Sequence, residues 1–109
     1  MDNNIKEVVI TEVGTRDGFQ SEKKTVDTKD KILLINDLIN AGFKRIEFSS
    51  FVSPKAIPQL ADADEVIKKI SRKEDVTLTA LVPNLRGAIR ALEANIDEMV
   101  VFLSASESH

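Results

Sequence analysis

Three times along this chain a short β-branched run gives way to a helical stripe, and a fourth run follows the third helix. Residues 6–13, KEVVITEV, are apolar and β-branched and are bounded by Gly14 and Gly18. Residues 28–41 place Ile32, Ile35, Leu38 and Ile39 on one helical stripe, with Lys and Asp on the other face. Asp27 or Thr28 can cap its start, and Gly42 stands where a helix end takes a residue at positive φ. Residues 43–50, FKRIEFSS, predict a second strand, and residues 59–71 a second helix with Pro58 at its first turn. Residues 76–82, VTLTALV, predict a third strand that Pro83 stops. Asn84 can cap a third helix over 85–95, and residues 98–104, EMVVFLS, predict a fourth strand. The order βαβαβαβ demands parallel strands joined by right-handed crossovers, hence an α/β fold. Two closures fit it. One is an open doubly wound sheet, which 109 residues could almost complete. The other is a (β/α)8 barrel of about 250 residues, of which this chain would be the first half.

Composition narrows the chemistry. The chain is 42% hydrophobic and 30% charged with a net charge of −3, which suits one soluble domain and leaves no basic footprint for nucleic acid. No apolar run approaches the roughly 20 residues of a membrane helix. The polar, acidic opening MDNNIKE does not read as a signal peptide, so the cytoplasm is the expected compartment. The chain has no cysteine, which removes disulfides, zinc–thiolate sites and thiol catalysis. Its single histidine is His109, so a His-rich metal site cannot be built from these residues alone.

Sites in parallel α/β folds gather at the C-terminal ends of strands. The first predicted strand ends in Glu12, Arg16 and Asp17, within EVGTRDGFQ. The second carries Glu47, then Ser49 and Ser50; the third ends at Pro83–Asn84; the fourth ends near Ser104, Ser106, Glu107 and His109. A carboxylate there can hold a hard divalent cation, and an arginine beside it can orient a carbonyl or carboxylate. A metal and an arginine aimed at one oxygen suit chemistry that develops an enolate. Plainer readings stand beside these. Arg16–Asp17 can be a loop salt bridge, Glu47 a buried structural partner of an arginine, Asn84 a helix cap, and 104–109 a solvated tail. GTRDG is neither a P-loop nor a dinucleotide fingerprint.

Four stretches carry a family resemblance: EVGTRDGFQSEK (12–23), IEFSSFVSPKAIPQLADADEV (46–66), LVPNLRG (81–87) and VVFLSASESH (100–109). In register along nearly the whole chain, they resemble the 3-hydroxy-3-methylglutaryl-CoA lyases of the DRE-TIM metallolyase group. The resemblance implies a TIM barrel, a divalent metal such as Mg2+ or Mn2+, and retro-aldol cleavage of a hydroxyacyl-CoA to acetyl-CoA and a keto acid. It implies a metal ligand at Asp17 and a carbonyl-polarising, enolate-stabilising arginine at Arg16. It also implies an acidic residue supporting that arginine at Glu12, a second-strand glutamate near the metal at Glu47, and loop residues facing substrate at Gln20 and Lys23.

The chain departs from the family at Thr15, normally proline, and at Phe19, more usually leucine, where the acyl pocket could be reshaped. The family's remaining metal ligands, an H-x-H pair and an asparagine, and its catalytic cysteine are not in this sequence. Residues 1–109 are therefore expected to be the N-terminal portion of a single barrel domain, a fragment of a longer enzyme and inactive alone. Such a half-barrel would carry two unpaired edges and an uncovered apolar interior. The expected partner is an acyl-CoA, with no nucleic acid and no membrane, and a homo-oligomer is left open. A citramalyl-CoA lyase, a Claisen-type synthase and a non-catalytic half-barrel module stand as alternatives.

Overall fold

Pairing begins where the Glu12 peptide meets the next strand. The computed structural model describes residues 10–21 and 24–101. Within them the Glu12 N–H donates to the Arg45 carbonyl at 3.0 Å, and the Glu47 N–H donates to the Glu12 carbonyl at 2.9 Å. This parallel bridge to Ile46 is what the described residues show of the first predicted strand. Three strands follow: β1 (Arg45–Ser50), β2 (Thr77–Leu81) and β3 (Glu98–Val100), parallel and in the order β1-β2-β3. The connecting helices are α1 (Thr28–Asn40), before β1, α2 (Ala63–Lys69) and α3 (Leu85–Glu93). The parallel α/β class expected from the sequence is the class observed. Residues 6–9 and 102–104, and the tail ending at His109, lie outside the described residues. No helix among the described residues is long and apolar enough to cross a membrane.

Helix ends follow the local chemistry unevenly. Gly42 takes φ +103°, and the Phe43 N–H reaches the Leu38 carbonyl, closing α1 with a left-handed cap. Asn95, at φ 55°, closes α3 in the same way. Asn84 caps α3 as expected, its Oδ1 accepting the Gly87 N–H at 2.8 Å. Neither Asp27 nor Thr28 caps α1 through its side chain: Asp27 occupies the cap position without such a bond, and the Thr28 hydroxyl donates to Asp62. The helix expected over 59–71 is divided. Pro58–Leu60 form a 3-10 turn and α2 begins only at Ala63, because the Gln59 carbonyl and the Asp62 carboxylate both bind Lys31.

Register separates the two faces of the sheet. Ile46, Phe48, Leu78, Ala80 and Val82 pack with Ile35 and Ile39 of α1 and Val66 and Ile67 of α2. Each of the Ile, Leu, Val and Phe side chains among them contributes about 1.5–3 kcal/mol on burial. On the opposite face the pairs are Arg45 with Thr77, and Glu47 with Thr79 and then Glu98. The expected apolar interior is thus polar over these rows. A β-bulge lies between Glu47 and Ser49, after which Ser50 pairs with Leu81 and Phe51 joins the core. The extra residue flips the alternation, so Ser50 comes onto the Glu47 face. Arg45 grips Glu98 with two nitrogens across β2 and ties the three strands on that face.

Helix α3 sits directly on the segment after β1. A β-carbon on buried Gly87 would overlap the Phe51 carbonyl oxygen, whereas one on Gly18 would meet nothing within 4 Å. Gly87→Ala should therefore cost about 1–3 kcal/mol in urea unfolding, and Gly18→Ala less than about 0.5 kcal/mol. The carboxyl of Glu98 is held below its ordinary range by the Arg45 hydrogen bond, and that of Asp75 by Lys44. These pairs stabilise the fold above the unfolded carboxylate pKa, and their contribution is lost as pH falls through the lower folded value. The acid slope of the urea midpoint should therefore be shallower in Glu98→Gln than in the parent chain.

Candidate functional site

After Glu12 the chain leaves the sheet and turns at once. Residues Gly14–Gly18 form a single π-helical turn, in which the Asp17 N–H reaches back to the Val13 carbonyl at 2.7 Å. The Glu12 carboxylate serves this turn, accepting the Gly14 N–H at 2.8 Å. Thr15, at the family's proline position, is buried, and its hydroxyl donates to the Glu47 carbonyl at 3.4 Å. The turn is thereby seated over the middle of β1.

That seat carries Arg16 to Glu47. Its Nε donates to Glu47 Oε2, and its Nη1 lies 3.3 Å from Asp17 Oδ1. The Glu47 side chain is 7% exposed, the Arg16 side chain 20% and that of Asp17 66%. A nearly buried carboxylate thus holds the guanidinium by its Nε side, and the forked end sits with Asp17 toward solvent. The arginine support expected from Glu12 comes from Glu47 instead, because the Glu12 carboxylate is spent on the turn's own backbone. The Arg16–Asp17 ion pair and the buried Glu47–arginine pair are both present.

Gln20 follows on the same helical turn, and its Oε1 is buried with no hydrogen-bond partner among the described residues. Ser50 Oγ and Thr79 Oγ1 are likewise buried and unpartnered, on the sheet face that carries Glu47. Ser49 pairs with Ala80, beyond the bulge. Asn84 is engaged as a cap. Phe19 lies against Lys31 of α1, with the ammonium 5.9 Å from its ring centroid, which places it against the helix layer. Lys23 lies outside the described residues, as do Ser104, Ser106, Glu107 and His109.

The sequence places Lys and Asp opposite the apolar stripe of α1, yet the Lys31 side chain is 4% exposed. The signal was the spacing Lys31, Ile35, Ile39, one residue per turn on the buried stripe. Thr79 carried no such signal, since only strand register brings it beside Glu47.

A divalent metal needs several hard ligands. Asp17 offers one exposed carboxylate, but no group of three or more His, Cys, Asp or Glu stands together among the described residues. These residues alone do not fit a complete metal site.

The sequence matches the HMGL-like family over residues 7–109. It is 54% identical over 104 residues to the hydroxymethylglutaryl-CoA lyase YngG of Bacillus subtilis, covering 95% of this chain and 35% of that protein. It is 48% identical over 103 residues to the 3-hydroxy-3-isohexenylglutaryl-CoA/hydroxymethylglutaryl-CoA lyase of Pseudomonas aeruginosa, covering 94% and 34%. The HMG-CoA lyase of Acinetobacter baumannii, solved with coenzyme A and 3-methylmalate, superposes with a TM-score of 0.89 at 53% identity, covering 93% of this chain and 33% of that one. The chain spans about a third of the length of these relatives. The fold is the parallel α/β fold of these TIM-barrel lyases, of which the chain covers about a third.

Removing Glu47 would leave Arg16 without its buried partner. Glu47→Ala should cost about 2 kcal/mol by denaturant titration. That is below the roughly 3–5 kcal/mol of a fully buried pair, because Arg16 keeps some solvent and its Asp17 contact. Glu12→Ala, which loses one hydrogen bond to a backbone N–H at the surface, should cost about 1 kcal/mol.

Proposed function

The chain belongs to the HMGL-like family, and from that premise we propose that it supplies the arginine-bearing end of a lyase that cleaves a 3-hydroxyacyl-CoA by retro-aldol chemistry. The favoured substrate is HMG-CoA, giving acetyl-CoA and acetoacetate. The observation that carries this reading is the Arg16–Glu47 pair, which sets the guanidinium on the polar face of β1 midway along the strand. Glu47 fixes the guanidinium by Nε, so its forked end can meet the thioester oxygen without reorganising.

In the proposed reaction a base outside the described residues takes the 3-hydroxyl proton. The bond between the hydroxyl-bearing carbon and the thioester's α-carbon breaks, and its electron pair passes to the thioester as an enolate. Arg16 stabilises the enolate oxygen, and a proton returned to the α-carbon completes acetyl-CoA. The other fragment leaves as the ketone of acetoacetate. Glu47, already bonded to Arg16, orients that arginine, and Glu12 holds the turn that presents it. Gln20 and Lys23 are proposed on the substrate side of the same loop. Asp17 is proposed as one oxygen ligand of Mg2+ or Mn2+, which polarises substrate oxygens when bound; its other ligands would come from beyond the described residues.

Coenzyme A in the Acinetobacter structure supports an acyl-CoA substrate, and the Pseudomonas relative's name supports a longer-branched acyl group as the variant. Residues 1–109 are proposed as the N-terminal portion of one catalytic barrel, inactive without the remainder. Leu85, Ile89 and Leu92 leave an apolar stripe exposed on α3, as a helix awaiting a neighbour would. The cytoplasm is the proposed compartment.

The test is cleavage of HMG-CoA by the full-length enzyme carrying this sequence, with Mg2+ or Mn2+ present, followed by product analysis. Arg16→Met should lower kcat by about 10²–10³-fold. Absence of acetyl-CoA from the unsubstituted enzyme would sink the assignment.

A further inference from the structure

A lysine ammonium is seldom buried, because removing it from water costs more than an apolar residue of the same volume would. Lys31 lies on the stripe of α1 that holds Ile35 and Ile39, where a leucine or methionine would fill the space. Its Nζ instead donates to Asp62 Oδ1 at 2.6 Å and to the Gln59 carbonyl. Asp62 Oδ2 in turn accepts the Thr28 hydroxyl at 2.6 Å. Asp62 occupies the N-cap position of α2 yet makes no capping bond, so its carboxylate is diverted from its local role. The start of α1, the Pro58–Leu60 turn and the start of α2 thus meet at one ammonium. The fourth group there is the ring of Phe19, which directly follows the Gly14–Gly18 turn.

We propose that Lys31 is a positioning residue: by presenting its ammonium to Phe19 it braces the far end of the Gly14–Gly18 turn and so fixes where Arg16 stands. The near end is held through Thr15 and Arg16 on Glu47. Two anchors at opposite ends define the turn; with one, Arg16 can pivot about its bond to Glu47. Asp62, Gln59 and Thr28 hold the ammonium in place and act through it. The effect on turnover rests on the lyase reading above, whereas the effect on the turn does not.

Hydrogen–deuterium exchange on the full chain tests the brace directly. In Lys31→Met, exchange over residues 13–21 should rise about tenfold while 45–50 and 77–81 keep their protection. If that variant loosens everywhere, Lys31→Met with Asp62→Leu decides, because removing both charges leaves no carboxylate there without its countercharge. Strand protection should then return while 13–21 stays fast. Unchanged exchange over 13–21 in the single variant overturns the proposal, as does recovery of 13–21 together with the strands in the double variant. In the full-length enzyme the double variant should lose about 10²-fold in kcat with KM little changed. An unchanged kcat with a loosened turn also overturns it. If the unsubstituted enzyme shows no lyase turnover, the lyase reading fails, and the exchange result still decides the role of Lys31.

Discussion

Strand β1 must satisfy two opposed environments, and the contact that reconciles them is the ion pair between Glu47 and Arg16. Ile46 and Phe48 on either side of Glu47 face the helices and are almost wholly buried. Glu47 points the other way and is nearly as buried, where an unpaired carboxylate would be costly. Arg16 supplies the missing charge, and Thr15 reaches the carbonyl of the same residue. The turn after Glu12 is therefore seated on the strand by the groups that the proposed chemistry uses. One interaction closes the polar face of the sheet and aims the guanidinium.

The bulge after Glu47 extends that logic. Without an extra residue, Phe51 would emerge on the polar face and Ser50 on the helix face. With it, Phe51 reaches the core, where its ring meets Phe48 edge-on at 6.3 Å and carries the Arg90 guanidinium at 5.2 Å. Its carbonyl lies so close to Gly87 that α3 can take no side chain there. The packing of α3 and the composition of the polar face are consequences of one irregularity in one strand. The buried hydroxyls of Ser50 and Thr79, which have no hydrogen-bond partner among the described residues, share that face.

Legibility tracked how local the determining force was. The helix stripe of α1, its Gly42 terminus and the Asn84 cap were readable because each depends on residues within a turn or two. The long second helix was misread because Gln59 and Asp62 answer to Lys31, 28 and 31 residues earlier in the chain. Lys31 falls among the Lys and Asp read as lying opposite the apolar stripe, although its spacing from Ile35 puts it on the buried one. Glu12 was expected beside Arg16 from a family pattern, but the N–H of Gly14, two residues away, is the nearer donor. The polar face was expected to be apolar because the rows of Arg45, Glu47, Thr77, Thr79 and Glu98 exist only once three strands are in register.

The sequence by itself determined the alternation of strands and helices, the parallel class, and the crowding of Glu12, Arg16 and Asp17 at one strand exit. These follow from periodicity and turn chemistry, which act over a few residues, and from motifs contiguous in the chain. Only the tertiary structure decided that Glu47 rather than Glu12 holds Arg16, that Phe19 faces α1, and that Lys31 is buried beneath the turn. Each of those outcomes is a choice among partners of similar chemistry. Distance and burial settle such a choice after the chain has folded, whereas residue type fixes only which partners are eligible.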